Sequence, residues 1–408
     1  MSLKPLHAVA ALVLLGAVLT ASAGMAVAQT RPRAATTLWV APKAKTTGES
    51  ASCSTAKYRT IPAALAASTK GDTVEVCAGT YTASTTIKTG VSTQPKITTA
   101  ADVPSGVSLV GQPGATIDAA GLDNGVTFFT SVGASVSGFA ISGATGEGIL
   151  ALLAVRVTID GNVVEHNDTG SSTSSWYECQ AAGEVPSDCG EGIHLMSSSS
   201  SKVHDNTSAF NSGGILLSDD FGPTHSNVVN GNLVEDNESD CGITVVGHNS
   251  SAVSSSGKPQ PSKAGTYDNT ISNNQIISNG TTGDGGGVLL ASAAFGGGSY
   301  DNTVTHNEIA GNGLSGVTIH QHAPLSDVSG DVIEDNWIGT NDISGDPGTG
   351  DSVTTGVLLD NGGVGAVISV TIEDNTIAWD TYGIYDDTGG GLTASGNKYI
   401  RVTTHLKV

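Results

Sequence analysis

Asn162-Val163-Val164-Glu165-His166-Asn167 is the stretch that decides the fold, because it returns down the chain. It recurs as Asn232-Leu233-Val234-Glu235-Asp236-Asn237, Asn274-Gln275-Ile276-Ile277-Ser278-Asn279, Asn307-Glu308-Ile309-Ala310-Gly311-Asn312 and Asn336-Trp337-Ile338-Gly339-Thr340-Asn341. Glycine-led apolar runs begin at Gly192, Gly214, Gly242, Gly287, Gly316, Gly356 and Gly383. Apolar residues alternate over four to six positions, which is the period of a strand. A unit this short cannot bury its own apolar face, so it must stack on its neighbours. Short strands, sharp Asn/Gly turns and no helical period predict coils wound one above another. Asparagines at equivalent turns then hydrogen-bond along the stack, and Asn tolerates the left-handed backbone such turns use.

On these residues the chain resembles the right-handed parallel β-helix superfamily of secreted pectate-lyase-like and NosD-like repeat proteins. Tyr58-Arg59-Thr60-Ile61-Pro62-Ala63-Ala64-Leu65-Ala66-Ala67 is similar to the short N-terminal capping helix of that group, and Gly71 to Tyr81 to its first strand and turn. The fold class expected is therefore all-β: a single-stranded right-handed parallel β-helix, a solenoid with a short capping helix. One domain is expected over residues 29–408, with a cap at about 38–80 and coils at about 105–400. Residues 82–103 read as a loop over the first coils, 249–266 as a loop excursion, and Tyr399 to Val408 as cover for the open end of the stack. The resemblance is specific for fold and weak for activity, since such folds host many functions.

Composition narrows the function. The chain of 408 residues has 17 Lys+Arg against 38 Asp+Glu, a formal charge of −21, which excludes nucleic acid as a partner. Lys4, the apolar run Ala8 to Leu19 and the small-residue motifs Ala21-Ser22-Ala23 and Ala26-Val27-Ala28 read as an export signal over residues 1–28, cleaved after Ala28. No later run is long enough to span a bilayer, so the mature chain is expected to be secreted or extracellular, periplasmic where the envelope has two membranes, and monomeric. The five cysteines lie in that exported part. Cys53 is read as paired with Cys77 and Cys179 with Cys189, leaving Cys241 over, although spacing alone does not fix connectivity.

Laying the glycine-led strands over one another gives outward columns. One reads His194, Leu216, Thr244, Leu289, Thr318, Leu358, Tyr385; the next reads Met196, Ser218, Val246, Ala291, His320, Asp360, Asp387. Six residues after glycine stand Ser198, Asp220, His248, Ala293, His322 and Gly362. With stacked strands about 4.8 Å apart, Asp220 and His248 become neighbours, His322 lies about two coils on, and His225 folds back toward them. A carboxylate beside a histidine is an acid/base pair, because imidazole titrates near neutrality and the carboxylate sets its tautomer. Asp220, His248, His225, His322, Asp219 and His194 are the candidate catalytic residues, Asp219 and Asp220 facing opposite ways. Trp176 and Tyr177 are candidate sugar platforms, with His320 as a further substrate contact. Glu191, Asp240 and Asp284 form an acidic edge whose hard oxygens suit Ca²⁺ as a cofactor.

Between Val157 and Asn397 the only basic side chains besides histidine are Lys202, Lys258 and Lys263. The Arg or Lys base of pectate-lyase relatives has no match here. The galacturonase branch is matched only by Asp219-Asp220 and Gly247-His248, and an epimerase-type Asp-Pro-His-Asp is missing. The expectation is a β-helix that cleaves an extracellular polysaccharide by hydrolysis or elimination. The alternatives are a non-catalytic surface module binding glycan or Ca²⁺, and a NosD-like copper-handling protein.

Overall fold

Alternation turns one face of every short strand into the stack and leaves the other outside. The computed structural model describes residues 33–44, 51–92, 94–168, 190–282, 285–321, 323–344, 353–360 and 368–408. Among these, Ala35–Val408 form one unit. The described strands make three long sheets: twelve strands from Thr37–Val40 to Leu392–Ser395, eleven from Gly79–Tyr81 to Lys398–Ile400, and twelve from Thr85–Lys88 to Thr404–Lys407. Successive coils give strands to the three sheets in turn, and neighbours pair in parallel, as a β-helix requires, except Thr85–Lys88 with Lys96–Asp102. In the first sheet Val203, Val229, Ile271, Val304, Ile333 and Ile372 stand in vertical register, each fully buried. Each such side chain contributes about 1.5–3 kcal/mol relative to exposure, so the core is a column of small equal increments.

The asparagines form the ladders expected. Asn162, Asn206, Asn232, Asn274, Asn307, Asn336, Asn375 and Asn397 pass hydrogen bonds from Nδ2 to the next Oδ1 at 2.9–3.1 Å. A second ladder runs from Asn167 to Asn341 and ends on Asp380. A third, shorter one links Asn227, Asn269, Asn302 and Asp331. The left-handed residue is the one before the ladder position, not the asparagine itself: Asp205, Asp236, Asp268, Asp301 and Asp335 have φ between 52° and 56°. That residue turns the chain so that the next side chain points inward. The leading glycines answer a different demand. A Cβ on Gly214 would stand 2.2 Å from the Gly242 oxygen and 2.4 Å from Val234 Cγ1.

At the N-terminal end the helix Ile61–Ala67 buries Ile61, Ala64 and Leu65, and the Thr60 hydroxyl accepts from the Ala63 N–H at 3.4 Å. Cys53 and Cys77 form a disulfide. Three expectations change. Thr73–Val76, read as the first strand, is the second in its sheet, behind Thr37–Val40. Residues 82–103 are not a loop: Thr85–Lys88 and Lys96–Asp102 pair antiparallel, and the second joins the third sheet. Their β-branched residues suit strands, and Ile87 and Ile97 bury against Leu150, Leu152 and Met196 on that sheet's outer face. The last residues do not cover the stack. Lys398–Ile400 and Thr404–Lys407 form its final coil, with Ile400 and Leu406 exposed. Residues 1–28, the expected export signal, lie outside the described residues. No helix among the described residues is long and apolar enough to cross a membrane.

Candidate active site on the third sheet

Strand parity separates the two aspartates that follow Gly213–Ser218. Asp219 is fully buried, and its carboxylate gathers three backbone N–H groups: His248 at 2.6 Å and Asn249 at 2.9 Å on Oδ1, Gly265 at 2.6 Å on Oδ2. It ties the turn after Ile243–Gly247 to the end of the 249–265 excursion. Burial raises its pKa to about 7, with the Asp220 charge adding to the rise and the Asn249 and Gly265 N–H groups opposing it. Asp220 faces the other way. Its Oδ1 lies 3.3 Å from His248 Nδ1, with the side chains 9% and 19% exposed, so the pair meets solvent at its rim.

Behind Asp220 the polar contacts continue inward. Ser218 Oγ donates to Asp220 Oδ2 at 2.5 Å, and His194 Nε2 lies 2.8 Å from the same Oγ. His194 Nδ1 is 3.1 Å from Glu147 Oε1, and Glu147 Oε2 accepts from the Glu191 N–H at 2.9 Å. Glu147, His194 and Ser218 are all completely buried. Burial alone would push the Asp220 carboxyl up. The His248 charge, hydrogen bonds from His248 and Ser218, and the His194 charge reverse this and hold it well below the usual carboxylate range.

Asp220 and His248 are neighbours across the coil step, as expected, while Asp219 faces the other way and meets only the backbone of His248. His194, expected on an open outer face, has an enclosed imidazole; Leu150, its register partner, and Leu216 beside it are buried too. His225 does not fold back toward Asp220. Thr224–His225, Thr266–Tyr267 and Ser299–Tyr300 form a small corner sheet, whose pairing sets the His225 ring on Tyr267 at 5.0 Å and Tyr267 on Tyr300 at 5.2 Å. His320 lies elsewhere on the third sheet, its Nδ1 2.7 Å from Asp360 Oδ2. His322, Trp176, Tyr177, Cys179, Cys189 and Asp284 fall outside the described residues. Cys241 is buried, with the Gly286 N–H donating to its sulfur at 3.2 Å.

The residues missed were Glu147 and Ser218. Glu147-Gly148-Ile149 repeats Glu191-Gly192-Ile193 one coil earlier, so extending the glycine alignment back by one strand finds it. Ser218 stands in the second outward column without a charge to draw notice.

The acidic edge is only partly assembled. Glu191 Cγ and Asp240 Oδ2 both approach Gly213, at 3.2 and 3.3 Å from where a Cβ would stand, but Glu191 is buried rather than on a wet rim. Glu147, Glu191 and His194 offer donor atoms within 4.8 Å of one another. They do not fit Ca²⁺, which takes six to eight oxygens: the group offers two carboxylates and one imidazole nitrogen, and both Glu147 oxygens are already engaged within the cluster. The other such group, Asp160, His204 and Asp205, is half-exposed to exposed, and one imidazole nitrogen faces both carboxylates at 3.2 Å. Each group among the described residues holds one imidazole, unlike the imidazole-rich set of a copper site.

A family model described as the right-handed β-helix region matches residues 105–257. Among solved structures, the chain is similar to the A-module of the Azotobacter vinelandii mannuronan C-5 epimerase AlgE6, with 17% identity, a TM-score of 0.56, and 85% of this chain and 91% of that one covered. The AlgE4 A-module of the same organism gives 18% identity, a TM-score of 0.51 and the same coverage. A tailspike protein mutant of E. coli bacteriophage HK620 gives 13% and 0.51, over 80% of this chain and 52% of that chain. At such identities the likeness is one of fold. No curated protein matches the chain.

Proposed function

We propose that this right-handed parallel β-helix acts on an extracellular polysaccharide and cleaves it with the Asp220–His248 pair. The observation that carries the reading is the 3.3 Å approach of His248 Nδ1 to an aspartate held ionised on the adjacent coil, just past the ends of two central strands of the third sheet and partly open to solvent. An ionised Asp220 draws the imidazole proton to Nδ1, so the basic lone pair resides on Nε2. Nε2 then takes a proton from water in hydrolysis, or from the carbon beside a uronate carboxylate in elimination; Asp220 steadies the imidazolium that forms, and as the glycosidic C–O bond breaks that proton passes to the departing sugar oxygen. Support from outside the chain is limited to fold: two of the similar structures are modules of enzymes named for mannuronan, a polysaccharide.

The experiment is a panel of neutral and acidic polysaccharides, each with Ca²⁺ or with chelator. New reducing ends are followed beside the absorbance of unsaturated sugars. Activity that survives in an Asp220→Ala, His248→Ala double variant removes the proposed site. One observation favours the second reading, a non-catalytic glycan-binding module. The His–Asp pairs Asp220–His248 and His320–Asp360 are spread along one sheet instead of converging. Silence across the panel together with retained glycan binding selects that reading.

A further inference from the structure

We propose that Glu147, His194 and Ser218 form a buried relay that positions Asp220 and thereby fixes which nitrogen of His248 carries the proton. The inference deepens the proposed function and rests on it only for the use to which His248 is put; the geometry stands by itself.

Asp220 Oδ2 can only accept, so the Ser218 hydroxyl spends its single proton there. Ser218 Oγ must then accept from its other neighbour, which makes His194 Nε2 a donor. His194 Nδ1 faces Glu147 Oε1, so one further proton lies between those two atoms. Glu147 is itself anchored through Oε2 by the Glu191 N–H. The Ser218 and His194 Nε2 links thus have their direction set from Asp220 inward. The series crosses coils: Glu147 precedes Ile149–Leu152, His194 lies in Glu191–Met196, Ser218 ends Gly213–Ser218, and Asp220 faces His248 of the next coil. These strands are locked in register by the core, so no member can move without breaking its rung.

Two features set this apart from ordinary core polar pairing. First, Glu147 and His194 are fully enclosed on the outer face of the sheet, where the apolar cluster of Leu150, Leu152 and Met196 is buried at no polar desolvation cost. Enclosing a carboxyl and an imidazole there is costly unless both are hydrogen-bonded. Second, the series leads outward, from full burial to the partly exposed His248. With Oδ2 tethered by Ser218, the Asp220 carboxyl cannot rotate away, and Oδ1 stays on His248 Nδ1. Glu147, His194 and Ser218 are therefore positioning residues.

The test reads protons directly and needs no glycan, so its failure and the failure of the proposed function are separable. The full chain is labelled with ¹⁵N at histidine. Long-range proton–nitrogen spectra are recorded from about pH 5 to about pH 9, which spans ordinary histidine titration. In the wild type, His194 Nε2 keeps its proton throughout, and neutral His248 shows one tautomer, Nδ1–H. Ser218→Ala abolishes the single-tautomer signature of His248 and gives a mixture, while Ser218→Thr, which restores a hydroxyl, keeps it. Loss of the His194 Nε2 proton at neutral pH in the wild type overturns the relay and needs no variant. A folded Ser218→Ala protein whose His248 remains purely Nδ1–H overturns it equally.

Discussion

Asparagine in place of Asp380 should remove most of one pH dependence from the stack. The second ladder ends on this carboxyl: the Asn341 N–H donates to Oδ1 at 3.0 Å, while Oδ2 is buried with no hydrogen-bond partner among the described residues, and the residue is only 2% exposed. One coil back, Asn341 Nδ2 donates to the Ile309 carbonyl at 3.2 Å. A carboxylate cannot supply such a donor and a carboxylic acid can. Burial, with the nearby Asp342 charge adding to it, accordingly raises the Asp380 pKa from 3.8 to about 8. A raised folded pKa stabilises fully below the unfolded value, and that contribution is lost as pH rises through the folded value. The span of pKa corresponds to on the order of 5 kcal/mol between pH 4 and pH 8, at about 1.4 kcal/mol per pH unit. For a unit of this size that is roughly 5 °C in Tm. Thermal unfolding of wild type and Asp380→Asn across this range checks it. The variant should match the wild type at the acid end and exceed it increasingly toward pH 8. Parallel curves would refute the claim that the ladder ends on a neutral acid.

Asn274→Ala removes a side chain that accepts from the Asn232 N–H and Nδ2 and donates from Nδ2 to Asn307 Oδ1, all at 2.9 Å; buried groups are left unmatched, and chemical denaturation should show a loss of about 3–5 kcal/mol. Reducing Cys53–Cys77, whose partners are 24 residues apart, should lower stability by about 3 kcal/mol in the same assay. Asp72 is pulled up by burial but held down to about 2 by backbone and hydroxyl groups of Thr36 and Thr69. Its contribution is present above the unfolded value and is lost as pH falls toward 2, so Asp72→Ala should cost about 3 kcal/mol at neutral pH and shrink the loss seen on acidification.

The coil, the ladders and the Asp220–His248 contact were legible because each depends on residues at one fixed position in a repeat. Adding about 4.8 Å per coil turned a sequence alignment into a spatial one. The reading weakened where the repeat did. Residues 82–103 carry no ladder asparagine, so their strands were hidden behind a Thr- and Ser-rich composition, although Ile87 and Ile97 alternate as strand residues do. The corner sheet was also visible in outline, since Thr224-His225-Ser226-Asn227 returns as Thr266-Tyr267-Asp268-Asn269 and Ser299-Tyr300-Asp301-Asn302. That repeat places His225 in a stack of rings instead of the site. The enclosure of His194 is a matter of what packs on the outer face, and no column alignment reports it.

Asp219 tests whether the site is a property of the whole coil or of Asp220 and His248 alone. Its carboxylate never faces His248's ring, yet it holds the His248 N–H at 2.6 Å and the Gly265 N–H at 2.6 Å from opposite oxygens. A carboxylate can accept on both sides, whereas a carboxamide presents an N–H₂ group on one of them, donor against donor. Asp219→Asn therefore keeps the shape and loses a clamp, either on the His248–Asn249 turn or on Gly265. Asp220→Asn should leave that clamp whole and change only what faces the imidazole. The two variants should look alike in any assay of His248 chemistry and differ in hydrogen exchange. Asp219→Asn should speed exchange at the His248, Asn249 or Gly265 amides by at least about tenfold, the equivalent of roughly 1.4 kcal/mol, and Asp220→Asn should not. Equal exchange in both variants would mean that the turn is held by the strand pairing of Ile243–Gly247 and that the buried aspartate has no part in aiming the histidine.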